Sequence, residues 1–228
     1  MDKVYPSVEA AVADIPSGAP ILVGGFGTAG VPEALCRALA ARRVRDLVVV
    51  STGTGEFGSG LAQLFANRCV RRVLASFPAP GRAPEFEEQY RAGELELELV
   101  PQGTLAERIR AGGAGIPAFY TPTAVGTPLA EGKEVREFDG RPYLLERAIR
   151  ADYALIRGYR ADRWGNVVYR KTARNFNPIM ATAARVTIVE VEEVVPVGAL
   201  DPEAVVTPSI FVHRIAMVPR ELVPPGAR

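Results

Sequence analysis

Glycines at positions 24, 25, 27 and 30 lie between the apolar run Ile21-Leu22-Val23 and a helix-like segment that opens at Pro32. A strand, a glycine turn and a helix start in that order bring bare backbone N–H groups to a place where an anionic ligand can sit. Within the turn, Gly25-Phe26-Gly27-Thr28-Ala29-Gly30 fits the dinucleotide pattern G-x-G-x-x-G. That chemistry also needs a carboxylate about 20 residues further on, at the end of the next strand, to hydrogen-bond a ribose. Asp46 has about the right spacing but precedes the strand, whose end reads Ser51-Thr52-Gly53-Thr54-Gly55. No Gly-Lys-Ser/Thr closes the turn as a phosphate loop would require. An NAD-dependent oxidoreductase is therefore the weaker ligand reading. Tight strand-to-helix packing alone is another use for the same glycines.

Few other side chains offer chemistry. His213 is the only histidine, so the chain alone cannot build a multi-histidine acid/base site or a histidine metal cage, and no metal is expected. The strand-like run Ile210 to Ile215 makes His213 a structural imidazole. Cys36 and Cys69 stand far apart with no C-x-x-C, which fits buried thiols in a reduced, cytoplasmic protein. Lys plus Arg number 27 against 26 for Asp plus Glu, so there is no broad field for nucleic acid or an anionic membrane. Residues 1–6 show no leader-like apolar region, and no run approaches the ~20 apolar residues of a membrane span. A soluble, unexported protein is expected.

The elements that must position these residues alternate at the rhythm of βα units, in a chain long enough for a single α/β domain over residues 1–228. Ile21–Val23 leads to a helix from about Pro32, at its first position, to Arg43, with Leu35 and Leu39 buried. Leu47–Val50 is a buried strand, Leu61, Leu64 and Phe65 mark a helix, and Val70–Ala75 is a third strand. An acidic helix follows around Glu85 to Tyr90. The strict alternation of Leu95 to Val100 predicts a strand near a sheet edge. Thr104 and Glu107 read as a capping box, which sets Gln102 two residues before the cap, at the carboxyl end of that strand. Loops with a short hairpin are expected from Ile116 to Gly140. Further strands are expected at 153–156, 167–169 and 186–191.

Taken in full, Val23-Gly24-Gly25-Phe26-Gly27-x-x-Gly30-x-Pro32 closely resembles the signature of the family I coenzyme A transferases. The likeness continues through Pro101-Gln102-Gly103-Thr104-Leu105-Ala106-Glu107 to Gly115, then Phe119 to Thr123, Gly165-Asn166-Val167 and Ala173-Arg174-Asn175-Phe176-Asn177. Spread in order over nearly the whole chain, these segments are similar to A (α) subunits of the 3-oxoacid, succinyl-CoA:acetoacetate type. The resemblance implies an α/β fold with an open, mainly parallel sheet flanked by helices, the CoA-transferase (NagB/RpiA-like) fold. It also implies a cytoplasmic A2B2 heterotetramer with a CoA-transferase B (β) subunit, no tightly bound cofactor, and coenzyme A as a substrate. A glutamate of the β subunit, in a Ser-Glu-Asn-Gly motif that this chain lacks, would carry CoA as a thioester. By the same resemblance Gln102 is the side-chain donor of an oxyanion hole, and Gly24, Gly25, Phe26, Gly27, Thr28, Ala29 and Gly30 line the coenzyme A site. There the helix start at Pro32 would turn its dipole toward negative charge, and Phe26 is read as a packing residue. The remaining carboxylates are read as solvated or capping groups. A scaffold subunit with no residue in the chemistry is the non-enzyme alternative. Two segments depart from the pattern of close relatives: Ser51 to Gly55 replaces Ser-Asn-Asn-Ala-Gly, and Pro78-Ala79-Pro80-Gly81-Arg82 replaces a stretch rich in Gly, Glu and Asn. Both lie at expected strand ends, where substrate choice is made.

Overall fold

The computed structural model describes residues 2–56, 58–78 and 81–219. After a short helix, α1 (Val8–Val12), the chain alternates strictly: β1 (Pro20–Val23), α2 (Glu33–Ala41), β2 (Leu47–Val50), α3 (Gly60–Ala66), β3 (Val70–Ala75), α4 (Pro84–Arg91), β4 (Glu96–Leu99) and α5 (Gln102–Gly113). The next strands, β5 (Ala118–Thr121), β6 (Val135–Phe138) and β7 (Arg141–Arg147), form a separate antiparallel sheet. Then come β8 (Ala151–Arg157), β9 (Arg160–Asp162), β10 (Val167–Val168), α6 (Asn177–Thr182), β11 (Ala184–Val191), β12 (Glu193–Val195) and β13 (Arg214–Met217).

Seven strands build the main sheet in the order β13-β11-β8-β1-β2-β3-β4, and every neighbouring pair is parallel. Strand order explains where the helices lie. From β1 to β4 the sheet grows one way, and right-handed crossovers place α2, α3 and α4 on one face. The chain then returns to β8 and grows the other way, so α5 and α6 cover the opposite face. Side-chain alternation along β1 matches this: Ile21 and Val23 pack with Leu35, Leu39, Leu64, Phe65 and Phe86, while Leu22 packs with Leu105, Ile109 and Met180. Leu35 and Leu39 are fully buried, each stabilising by about 1.5–3 kcal/mol. Cys36 and Cys69 are free, buried thiols, and β4 is an edge strand, as its alternation implied.

Three local expectations change. Pro32 is the N-cap of α2, not its first residue, with Cys36 N–H donating to its carbonyl. The capping box does not form. Pro101, extended at φ −52°, ψ 139°, supplies the carbonyl that accepts the Leu105 N–H, so α5 begins at Gln102 and Thr104 lies within its first turn. Thr104 is buried with its hydroxyl unpartnered among the described residues, while Glu107 pairs with Arg110. Loop and turn predominate from Ile116 to Gly140, with a hairpin, as expected, and β5 and the β6–β7 hairpin together make a three-stranded sheet. Its β6–β7 turn is Asp139-Gly140, both at positive φ (49° and 73°), the two-residue connection that matches strand twist. Nearer the C-terminus, residues 209–211 form a 3-10 turn and the strand starts only at Arg214. His213, just before it, accepts the Thr187 N–H on Nδ1 at 3.0 Å, a structural role as expected.

Candidate active site

The loops leaving the carboxyl ends of β1, β2, β3 and β4 enclose a cleft of about 440 Å³. Each strand contributes in turn: Gly24 to Gly27, then Ser51 to Glu56, then Ser76, Phe77 and Arg82, and finally Gln102. Gln102 and the glycine turn, remote in sequence, thus share one cavity at the place where parallel α/β sheets hold ligands.

Residues 26–29 close on themselves. Phe26 N–H donates to Ala29 O at 3.0 Å and Ala29 N–H to Phe26 O at 3.1 Å, around Gly27 at φ +57°. This two-residue turn throws residue 26 outward, so Phe26 is 49% exposed on the cleft wall and is not the packing residue expected. Phe77 stands on the wall from β3, 63% exposed. Of the seven turn residues, Gly24, Gly25, Phe26 and Gly27 line the cleft, whereas Thr28, Ala29 and Gly30 are not among its lining residues.

The far side of the turn is clamped by the Ala173–Asn177 segment. Asn175 donates its amide to Ala29 O at 2.9 Å and Asn177 donates to Gly30 O at 3.0 Å and Ala173 O at 2.9 Å. Asn177, fully buried, also accepts the Arg157 N–H at 2.9 Å, joining the turn to the end of β8. A Cβ on Gly24 would collide with Asn177 Oδ1, and one on Gly30 would stand 2.5 Å from Ala173 O. Those two glycines serve the clamp.

The start of α2 has its own anion. Glu190 of β11, fully buried, accepts the N–H groups of Ala34 and Leu35 at 2.9 and 3.0 Å and pairs with Arg157 Nη1 at 2.7 Å. Burial pushes its carboxyl above the ordinary range against the pull of Arg157. Glu33 is buried as well and accepts the Gly60 N–H, tying α2 to α3, with burial again raising its carboxyl. The α2 N-terminus therefore meets an internal carboxylate, which corrects the expectation that its dipole faces a ligand. Glu190 caps a helix as such residues were expected to, but neither it nor Glu33 is solvated. One signal in the sequence pointed to Glu190: a lone charge inside the apolar strand Val186 to Val191.

Most cleft hydroxyls are taken up by backbone. Thr52 donates to Gly25 O at 3.0 Å, Thr54 to Pro78 O at 2.8 Å, Ser76 to Thr52 O at 2.9 Å and Ser51 to Gly53 O. They lock the loops of β1, β2 and β3 together. The side-chain donors left facing the cleft are Gln102, exposed and unheld by any described residue, and Arg82. Gln102 opens α5, whose N-cap Pro101 supplies no side-chain cap, so the positive end of that helix lies at the same wall. Ser51 to Gly55, singled out in the sequence, does line the cleft, as does Arg82 of the second divergent segment; Ala79 and Pro80 lie outside the described residues. Sequence reasoning missed Ser76 and Phe77, and gave no role to Asn175 and Asn177 although their motif stood out. Among the described residues no group of three or more His, Cys, Asp or Glu is placed to hold a metal ion, and no helix is long and apolar enough to cross a membrane.

Comparison with known proteins agrees with this architecture. Residues 5–217 match the family model described as coenzyme A transferase. The chain is 53% identical over 218 residues to the A (α) subunit of 3-oxoadipate CoA-transferase from Pseudomonas putida, covering 96% of this chain and 94% of that one. It is 55% identical over 216 residues to the A (α) subunit of succinyl-CoA:3-ketoacid coenzyme A transferase from Xanthomonas campestris pv. campestris, covering 94% and 88%. An acyl-CoA transferase of Escherichia coli, solved as a thioester complex with CoA, superposes with a TM-score of 0.84 at 22% identity, over all of this chain and 49% of that one. This chain thus spans about half of that structure, and at such identity the likeness concerns the fold. With the match running through the glycine turn, Gln102 and the Asn177 clamp, the chain belongs to the coenzyme A transferase family.

Proposed function

We propose that this chain is the α subunit of a heteromeric CoA-transferase that moves CoA from succinyl-CoA or another acyl-CoA to a short 3-oxo acid such as acetoacetate or 3-oxoadipate. The observation that carries the reading is the shared cleft of Gln102 and the glycine turn. In the proposed chemistry the thioester carbonyl is attacked by a glutamate carboxylate of the β subunit, and its electron pair moves onto oxygen. Collapse expels CoA thiolate and leaves an acyl-glutamyl anhydride. The thiolate then attacks the glutamyl carbonyl, the acyl group departs as its carboxylate, and a glutamyl-CoA thioester remains. The acceptor acid runs the same steps backwards.

Every step passes through a tetrahedral oxyanion. Gln102, a neutral amide with two N–H donors at the uncapped end of α5, suits that charge without titrating. Glu56, the only carboxylate among the described cleft-lining residues, faces Arg82 and is not the nucleophile in this scheme. The glycine turn forms one wall of the coenzyme A site, with Gly24 to Gly27 toward the ligand and Thr28 to Gly30 shaping the wall from behind.

The test is to co-express the chain with the β subunit, then follow thioester exchange between succinyl-CoA and short acids. Gln102→Ala should lower kcat by about 10²- to 10³-fold, the effect of losing one oxyanion donor, with little change in the amount of complex recovered. An unchanged kcat, or full activity of this chain alone, would overturn the reading.

A further inference from the structure

Arg82 is the only cation among the described residues that line the cleft, and the functional reading above gives it no task. It follows β3, in the turn that leads to α4, and shares the cavity wall with Glu56. Its side chain is 69% exposed, and its guanidinium meets Glu56 through one long contact, Nη1 to Oε1 at 3.5 Å. A committed bidentate guanidinium–carboxylate pair closes to about 2.7–2.9 Å on two parallel bonds. Most of the fork is therefore available. The surrounding hydroxyls cannot compete for an anion, because Ser51, Thr52, Thr54 and Ser76 donate to backbone carbonyls. Phe26 and Phe77 supply apolar wall to the same cavity, and Gln102 supplies an amide donor.

These features describe a particular acyl group: a reacting carbonyl to meet the amide, methylenes to lie along the aromatic walls, and a second carboxylate to meet the guanidinium. We infer that Arg82 receives the carboxylate remote from the thioester, so that this chain favours dicarboxylic acyl groups, four- to six-carbon diacids and their 3-oxo derivatives, over monocarboxylic ones. The inference rests on the CoA-transferase reading. Glu56 holds the guanidinium over the cleft until substrate arrives, and being 39% exposed it can return to water when displaced. The exchange of one carboxylate for another leaves the charge of the site unchanged.

The discriminating experiment compares succinyl-CoA with acetoacetyl-CoA as donors, and 3-oxoadipate with acetoacetate as acceptors, in the co-expressed complex carrying wild-type chain, Arg82→Gln or Arg82→Lys. Each acyl-CoA bears the same phosphates, so the ratio of their kcat/KM values isolates the acyl end. Arg82→Gln should lower the succinyl-CoA to acetoacetyl-CoA ratio by about 10- to 100-fold, the range for one charge-assisted hydrogen bond, chiefly through KM. Arg82→Lys should restore part of it. Equal losses on both donors would assign Arg82 to the CoA phosphates and overturn the inference, as would no loss on either. Co-purification of Arg82→Gln with the β subunit shows that the variant is folded. A wild-type complex that moves CoA between none of these pairs refutes the CoA-transferase reading itself, and this inference falls with it.

Discussion

His213 illustrates how one side chain takes its chemistry from its neighbours. Its Nδ1 accepts the Thr187 N–H while its backbone N–H donates to Thr187 O at 2.9 Å, so the residue fastens β11 to the start of β13. Partial burial of the ring, with the charges of Lys3 and Arg214, lowers its pKa below the ordinary 6.5. The imidazole must be neutral to accept that bond. Unfolded chain thus binds the proton more readily than folded chain, and stability is lost as pH falls through about 6.5 and below. Thermal midpoints measured from pH 8 to pH 5 should fall more steeply for wild type than for His213→Asn; parallel curves would show that the ring is not linked to folding. At this scale the sequence was legible where a residue type has few uses: a lone histidine in an apolar run, and cysteines without partners. Glu190 and Asn177 were not legible in role, because their partners lie more than a hundred residues away along the chain. Arg82 looked like one more surface charge until the fold set it on the same cleft as Gln102.

Elements were legible in proportion to their burial. The strands β1 and β2 sit inside a parallel sheet, covered on both faces, and therefore read as nearly continuous apolar runs. The sheet of β5, β6 and β7 is largely exposed, with all of β6 open to solvent, so its sequence carries little apolar period. Its one local signal was Asp139-Gly140. The error at α5 arose because a valid capping pattern, Thr104 to Glu107, competed with a start already set by the Pro101 carbonyl. The outcome is a buried hydroxyl without a partner among the described residues. Replacing it with an apolar group of the same shape, Thr104→Val, should stabilise the chain by about 1 kcal/mol, since an unpaired buried hydroxyl costs roughly 1–3 kcal/mol. For a chain of this length that is a rise of about 2–4 °C in the thermal midpoint. A fall of that size would mean that the hydroxyl is paired in solution.

At the scale of the whole molecule, the proposed reaction makes this cleft one part of a larger site. Among the described residues it presents the amide of Gln102, the guanidinium of Arg82 and one carboxylate, Glu56, which meets that guanidinium through a single long contact. Phe26 and Phe77 stand exposed on its wall, and in the proposed complex the β subunit covers them. Co-expression with the β subunit should give a stable complex of two copies of each chain, by native mass spectrometry, and either chain alone should exchange no thioester. A monomeric, active chain would contradict this. In the proposed scheme the nucleophile is assigned to the β subunit because this chain lacks the motif, whereas the pairing of distant loops around the cleft follows from strand order, which no local pattern states. Strand order also decides what kind of surface the glycine turn offers. Held by Asn175, Asn177 and Thr52, and leading to a helix fixed by Glu190, residues 24–30 give up their backbone freedom when the chain folds, about 1–2 kcal/mol for each residue. A ligand reaching the turn meets a template already ordered, so little further entropy is lost there on binding.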